Sequence, residues 1–349
     1  MLFVVTEIGA ARFMEPLWRR WLGAEVSFDW TVIATETAVE YLRSAGLSGA
    51  LPMLAPVRHK DEDLGQRLGT WKPTAVVASA GDHYPIEAAA ITLARNLGVP
   101  SAQYIDTWYN YRRRFEHRGG LQYPDHILVI DDVACREGVG EGLPEERISV
   151  VGQPAWEHTL RLGPAPRNHV LFLGAPVRRD FGTSLGFDET SAWRVVVEAA
   201  AMSPERFDRL TYGPHPSQGV LSAAAVAPAT RVGNSMAALQ QASIVLGMFS
   251  SPMIDAYIGG RLVVSVQPNA ESRDLCALSR HGRIPRVSDA RSLIEALDAP
   301  VSKTDEFALS LDGSTDRLDA WLKGVVGPAR ADNTSGLAQN AHSHRAELK

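Results

Sequence analysis

The stretch Val245–Pro268, VLGMFSSPMIDAYIGGRLVVSVQP, constrains the fold more than any other part of the chain. It reads as strand, turn, helix, strand. Ile244, Val245 and Leu246 form an apolar run, and Gly247 opens a turn. Ser250, Ser251 and Pro252 have the composition of a helix start, a serine N-cap with proline at the first helical position. Met253 to Tyr257 carry the helix, Gly259 and Gly260 end it, and Leu262 to Val266 form the next buried strand. Free backbone N–H groups at a positive helix end are a ready place for a phosphate, so a nucleotide or phosphorylated ligand is the leading expectation.

The same rhythm runs through the whole chain. Strands are expected over Leu2 to Thr6, Thr31 to Ala34, Pro52 to Ala55, Thr74 to Ser79, Ser101 to Ile105, Ile127 to Ile130 and Ile148 to Val151. Helices are expected over Ala11 to Trp21, up to about Ser44, and over Ile86 to Asn96. Leu160 to Arg167 contains proline and glycine without a clear period and reads as a linker. The pattern then restarts with strands at Val170 to Leu173 and Arg209 to Tyr212, and helices at Ser191 to Met202, Met236 to Gln241, Ser292 to Leu297 and Leu318 to Val325. Short apolar runs between helical patterns argue for parallel sheets covered on both faces. The expected fold class is therefore α/β, with two Rossmann-like doubly wound domains facing a cleft. Their boundaries are 1–160 and 161–327, with 328–349 a polar tail too poor in apolar residues to order itself.

With 349 residues the chain is long enough for two such domains. A formal net charge of −5 gives no support for a nucleic-acid partner. Cys135 and Cys276 make neither a disulfide framework nor a zinc pattern, which fits a reducing cytoplasm. The start, MLFVVTEIGAARF, lacks a basic n-region and reads as a first strand. No apolar stretch reaches the roughly 18 residues of a membrane span. No metal-ligand spacing, nucleophile elbow or P-loop stands out, so no metal and no separate cofactor is expected.

Several residues fall at strand ends, where open α/β sheets bind ligands. His215, in Gly213-Pro214-His215-Pro216, follows the strand Arg209 to Tyr212 and can donate to a phosphate oxygen. A histidine in a plain proline turn is the rival reading. Ser250 and Ser251 follow the strand ending at Leu246, and Asp255 lies one helical turn on, where it can accept from ribose hydroxyls or simply favour the helix dipole. Arg178, in VLFLGAPVRRD, either reaches a phosphate or decorates a surface turn. In the first half, Asp82 and His83 follow TAVVAS and Asp106 follows SAQYID; each is a candidate base, with helix capping as the bland alternative for Asp82. The run Trp108 to Phe115, WYNYRRRF, either grips an anionic acceptor or membrane surface or is a loop with aromatic anchors.

The order strand–HP, then Gly247-x-x-Ser250-Ser251-x-x-x-Asp255-Ala256, a Gly-Gly-Arg turn and the VVSV strand resembles the C-terminal half of GT-B glycosyltransferases. It is most similar to bacterial capsule and cell-wall transferases of the polysialyltransferase-like and CDP-glycerol transferase-like kind. DHILVID and GLPEERISVVGQPAWE resemble the segment before the interdomain linker in GT-B enzymes and nonhydrolysing UDP-GlcNAc 2-epimerases. The resemblance implies metal-independent transfer of a sugar from a nucleotide-activated donor, held by the second domain, to a saccharide or lipid-linked acceptor on the first. The implied setting is bacterial surface polysaccharide assembly, cytoplasmic with a peripheral membrane contact left open. It places His215, Ser250 and Ser251 on the donor phosphate and Asp255 where many GT-B proteins carry a ribose-binding glutamate. Two other readings stand beside it: a nonhydrolysing sugar-nucleotide epimerase, and a catalytically inactive binding protein of the same shape.

Overall fold

A computed structural model describes residues 1–47, 49–52, 72–81, 85–117, 119–157, 159, 162–215, 223–298 and 311–326. Asp82 and His83, most of the strand expected over Pro52 to Ala55, the start of the expected linker and the tail lie outside these residues. The described chain forms two compact units. The first comprises Met1–Asp106, Tyr111–Val151 and the chain from Thr315. The second comprises Thr107–Asn110 and Gly152–Ser314.

The first unit contains β1 (Leu2–Val5), β2 (Thr31–Ala34), β3 (Val76–Ser79), β4 (Ser101–Tyr104), the two-residue ladder β5 (Glu116–His117) and β6 (Gly120–Leu121), β7 (His126–Val129) and β8 (Ile148–Val150). Six of these make one sheet in the order β2-β1-β3-β4-β7-β8. Every pairing in it is parallel, with Leu2 opposite both Thr31 and Val76. All four residues of β1 are buried, as a strand covered on both faces requires. Successive side chains go to opposite faces. Phe3 and Val5 meet Phe13, Met14, Leu17 and Trp18 of the helix Ile8–Leu22, and Leu318 and Leu322 of the helix Ser314–Val326 join that face. Leu2 and Val4 meet Ile86, Ala90, Ile91 and Ala94 of the helix Pro85–Leu97.

The second unit contains β9 (His169–Leu173), β10 (Arg209–Gly213), β11 (Thr230–Arg231), β12 (Ile244–Gly247), β13 (Leu262–Val266) and β14 (Arg286–Val287). Their order is β11-β10-β9-β12-β13-β14, again all parallel. Val170 and Phe172 pack with Trp193, Val196 and Ala199 of the helix Glu189–Met202 and with Leu293 of the helix Ala290–Leu297. Both helices start in reciprocal capping boxes, Asp188 with Ser191 and Asp289 with Ser292, each cap worth about 1 kcal/mol.

Strand order sets where each unit presents its ligand edge. From β1 the chain passes to β2 on one side and later to β3 on the other. From β9 it passes to β10 and β11, then returns to β12 on the far side. These reversals open a crevice outside the carboxyl ends of the strands, between β1 and β3 and between β9 and β12. The α/β class with two Rossmann-like units agrees with the expectation from sequence. Two details differ. Arg178, Arg179 and Asp180 lie in a short helix, Val177–Phe181, rather than a turn. Ser251 precedes the helix Pro252–Ile258, but its backbone is already helical and its hydroxyl makes no cap hydrogen bond.

Candidate functional site

On the second unit, the strand ends beside the β9–β12 switch point carry three of the expected residues. His215 follows β10, and Ser250 and Ser251 follow β12. Both strands pair with β9, which puts their ends roughly 10 Å apart. β9 itself runs into the helix Val177–Phe181. His215 is half-buried. Burial holds its imidazole below the ordinary histidine range, the Arg179 charge pushes the same way, and Asp180 opposes them. The neutral ring is thus favoured near pH 7, beside a cation.

The Ser250 hydroxyl is buried without a hydrogen-bond partner among the described residues. A buried hydroxyl left unpaired costs free energy on the scale of 1–3 kcal/mol, about what a hydrogen bond to a ligand restores. Ser251 is exposed on the same turn. Asp255 is only 2 % exposed, and this burial favours a supporting role in the helix over a direct ribose contact. Arg178 is committed elsewhere: its Nε donates to Asp188 Oδ2 at 2.9 Å and its Nη2 lies 2.7 Å from the same oxygen. Burial works against ionisation of Asp188, but the Ser191 amide, Arg178 and the Ser191 hydroxyl outweigh it and hold the carboxyl below the usual range. Arg178 therefore pairs with the acid that caps the helix Glu189–Met202. Arg179, its neighbour, is the cation felt by His215 and is itself paired with Asp180, its Nε donating to Oδ1 at 2.6 Å and its Nη2 to Oδ2 at 3.1 Å.

On the first unit, Asp106 follows β4. Its carboxylate lies over the first turn of the helix Ile8–Leu22: a Cβ on Gly9 would sit 2.6 Å from Asp106 Oδ2. Arg114 Nη1 is 4.0 Å from Asp106 Oδ1 and also donates to the Ala80 carbonyl at the end of β3. Desolvation raises the Asp106 pKa, and Arg114 opposes the rise. One-fifth of the side chain remains exposed, so the acid is reachable.

Sequence reasoning missed the neighbouring Glu87. This carboxylate, 2 % exposed, sits at the β1–β3 switch point. Thr6 Oγ1 donates to its Oε1 at 2.7 Å, Ser79 Oγ donates to the same oxygen, and the Gly81 amide donates to Oε2 at 2.8 Å. Desolvation nevertheless pushes its pKa up to about 8, against those three hydrogen bonds. A signal was present: Glu87 falls on the apolar stripe Ile86, Ala90, Ile91, Ala94, where an acid is out of place.

In the run Trp108 to Phe115 only Arg112 and Arg113 are exposed. Trp108, Tyr111 and Phe115 are buried, and Trp108 stacks on Trp156 with centroids 5.3 Å apart. These rings are anchors. No described helix is long and apolar enough to cross a membrane. Among the described residues no group of three or more His, Cys, Asp or Glu side chains is placed to hold a metal.

No family model matches the sequence, and no curated protein is similar to it in sequence. Solved structures are similar in fold. The UDP-GlcNAc 2-epimerase from Methanocaldococcus jannaschii superposes with a TM-score of 0.63 at 16 % identity, over 93 % of this chain and 100 % of that one. The Neisseria meningitidis UDP-GlcNAc 2-epimerase, bound to UDP-GlcNAc, gives 0.63 at 14 %, over 93 % and 99 %. A spinosyn rhamnosyltransferase complexed with thymidine diphosphate gives 0.53 at 14 %, over 91 % and 96 %. At these identities the likeness establishes a common two-unit fold of the GT-B type.

Proposed function

We propose that this chain is an enzyme acting on a nucleotide-activated sugar, and that it inverts a stereocentre of that sugar as sugar-nucleotide 2-epimerases do. The reading rests on His215, with the Arg179 charge acting on it, and on the buried, unpartnered Ser250 hydroxyl, which follow the two strands that flank β9. That grouping suits a diphosphate. A cation and fixed donors meet negative charge at a position where such sheets take ligands. Ser251 adds an exposed hydroxyl to the same turn.

The sugar chemistry is assigned to the first unit. Inverting a carbon that bears hydrogen requires one group to take a proton and another to return one. Asp106, partly exposed and with a carboxyl pKa raised by burial, is the reachable acid among the described residues at these strand ends. Asp82 and His83 remain sequence-derived rivals for the same work. The fold likeness supports inversion over transfer, with TM-scores of 0.59 to 0.63 for the 2-epimerases against 0.53 and 0.55 for the spinosyn transferases.

Transfer to a saccharide or lipid-linked acceptor is the second reading, favoured by the HP and Ser-Ser motifs and by those two transferases. One experiment separates them. The protein is incubated in D2O with UDP-GlcNAc and a set of CMP-, CDP- and GDP-sugars, without acceptor, and followed by proton NMR. The expected product is an isomeric nucleotide sugar carrying deuterium at the inverted carbon. Sugar consumption only after an acceptor is added would establish transfer instead.

A further inference from the structure

The turn that carries Ser250 is held from behind by a buried polar chain. Met248 is the first residue after β12, two before Ser250, and is fully buried. Its carbonyl accepts from Ser265 Oγ at 2.6 Å and from Gln267 Nε2 at 3.3 Å. Gln267 Nε2 also lies 2.8 Å from Ser265 Oγ and 2.6 Å from Asp274 Oδ1, so its two hydrogens are shared among three acceptors. Asp274 is fixed in turn by the Cys276 amide at 2.9 Å and the Ser279 hydroxyl at 2.5 Å. Ser265, Gln267 and Asp274 are 0 %, 2 % and 9 % exposed.

The chemistry of this chain is unusual for a core. Ser265 belongs to β13, a strand otherwise made of Leu and Val, and a buried polar group there is costly unless every hydrogen bond is made. Apolar residues would fill the same space at lower cost. What the polar residues add is direction. Two donors converge on one carbonyl, and that carbonyl fixes the peptide plane from which Phe249 and Ser250 extend. Inward-pointing hydrogen bonds of this kind lock the aim of a neighbouring turn.

We infer that Ser265 and Gln267, anchored by Asp274, are positioning residues that hold the Met248–Ser251 turn in its ligand-binding geometry and so set affinity for a nucleotide diphosphate. The inference rests on the phosphate-binding reading of Ser250. The two residues act through Ser250 and touch no ligand. Loss of the clamp lets the turn sample other orientations, and apparent affinity falls by the fraction of time the competent one is occupied.

The test is a double-mutant cycle read by calorimetric titration with UDP, on the full chain. Ser265→Ala removes the shorter bond to Met248 with little change of volume. Gln267→Met keeps the length of the side chain and removes its donors. Either variant, if folded by circular dichroism, is expected to bind UDP roughly tenfold more weakly than the parent. In the Ser250→Ala background the same changes are expected to cost less than twofold, because the group they position is gone. A residue that merely stabilises the core would act equally in both backgrounds, and that result would overturn the inference. So would parental affinity in both single variants. Binding of UDP by the parent together with either of those results leaves the functional reading intact and removes only the clamp. Failure of the parent to bind UDP or any other nucleoside diphosphate removes both.

Discussion

The Ser79 hydroxyl donates to the Glu87 carboxylate beneath the carboxyl ends of β1 and β3, so a buried acid underpins the switch point of the first sheet. The acid is at odds with its surroundings. Three hydrogen bonds favour its charged form, and burial, the larger effect, favours the neutral one, leaving a pKa of about 8.

A stability consequence follows from the sign of that shift. The folded-state pKa lies above the ordinary value of 4.5. The contribution is therefore fully present below about pH 4.5 and is lost as pH rises through about 8. Thermal melts at pH 5, 7 and 9 are expected to show falling stability. Glu87→Gln, whose amide can accept from Gly81 and donate to Ser79, is expected to flatten the curve. Parallel curves for parent and variant would contradict the assignment.

Gly9 separates stability from activity. An alanine Cβ there would meet Asp106 Oδ2 at 2.6 Å, and the carboxylate, as the end of a side chain, can swing aside. Alanine in place of a helical glycine gains up to about 1 kcal/mol. Gly9→Ala is expected to melt at or slightly above the parent while turnover falls by roughly 10- to 100-fold, the scale of a misplaced reactive group. Asp106→Asn is expected to lose about 10²–10⁴-fold, the scale of a positioned acid or base. Parental turnover in Asp106→Asn would remove this residue from the chemistry.

His215 should take up a proton when a diphosphate binds. Burial and Arg179 keep the free ring below the ordinary range, and an adjacent anion favours the charged form. The calorimetric enthalpy of UDP binding at pH 7 is expected to vary with the ionisation enthalpy of the buffer in the parent and not in His215→Ala. That variant is also expected to bind about 10- to 100-fold more weakly, the worth of one charge-assisted hydrogen bond.

Arg178 provides the contrast. Its side chain is 72 % exposed and paired to Asp188, and exposed pairs contribute about 0–1 kcal/mol. Arg178→Ala is expected to change UDP affinity less than twofold and stability by less than about 1 kcal/mol. Asp188→Ala, which removes a helix cap as well, is expected to cost about 1–2 kcal/mol by denaturant titration.

Much of this architecture could be read from residue patterns. β12 and β13 are four- and five-residue runs dominated by branched apolar residues, so the strand, turn, helix, strand reading of residues 244–266 required only local information. The same holds for β1 and β9. Short helices were harder. Val177–Phe181 makes little more than one turn and shows no period, and Asp132–Gly140 contains Gly138 and Gly140, which weaken the helical signal. The sheet covered by the helix Ser314–Val326 depends on partners about 300 residues away, as in the Trp21 Nε1 hydrogen bond to Asp319. No local pattern carries that. His215 and Ser250 were legible because a strand end is a position in the chain. The commitment of Arg178 to Asp188 and the burial of Asp255 were not, because side-chain direction is decided by packing.

The central claim is that a nucleotide diphosphate sits on the strand ends of the second unit beside β9. Hydrogen–deuterium exchange with and without saturating UDP tests it most directly. Protection is expected in the peptides covering Gly213 to His215 and Gly247 to Ile258, with little change in those covering Thr31 to Ser44 on the first unit. Protection confined to other segments, or none at a concentration that saturates binding, would contradict the placement.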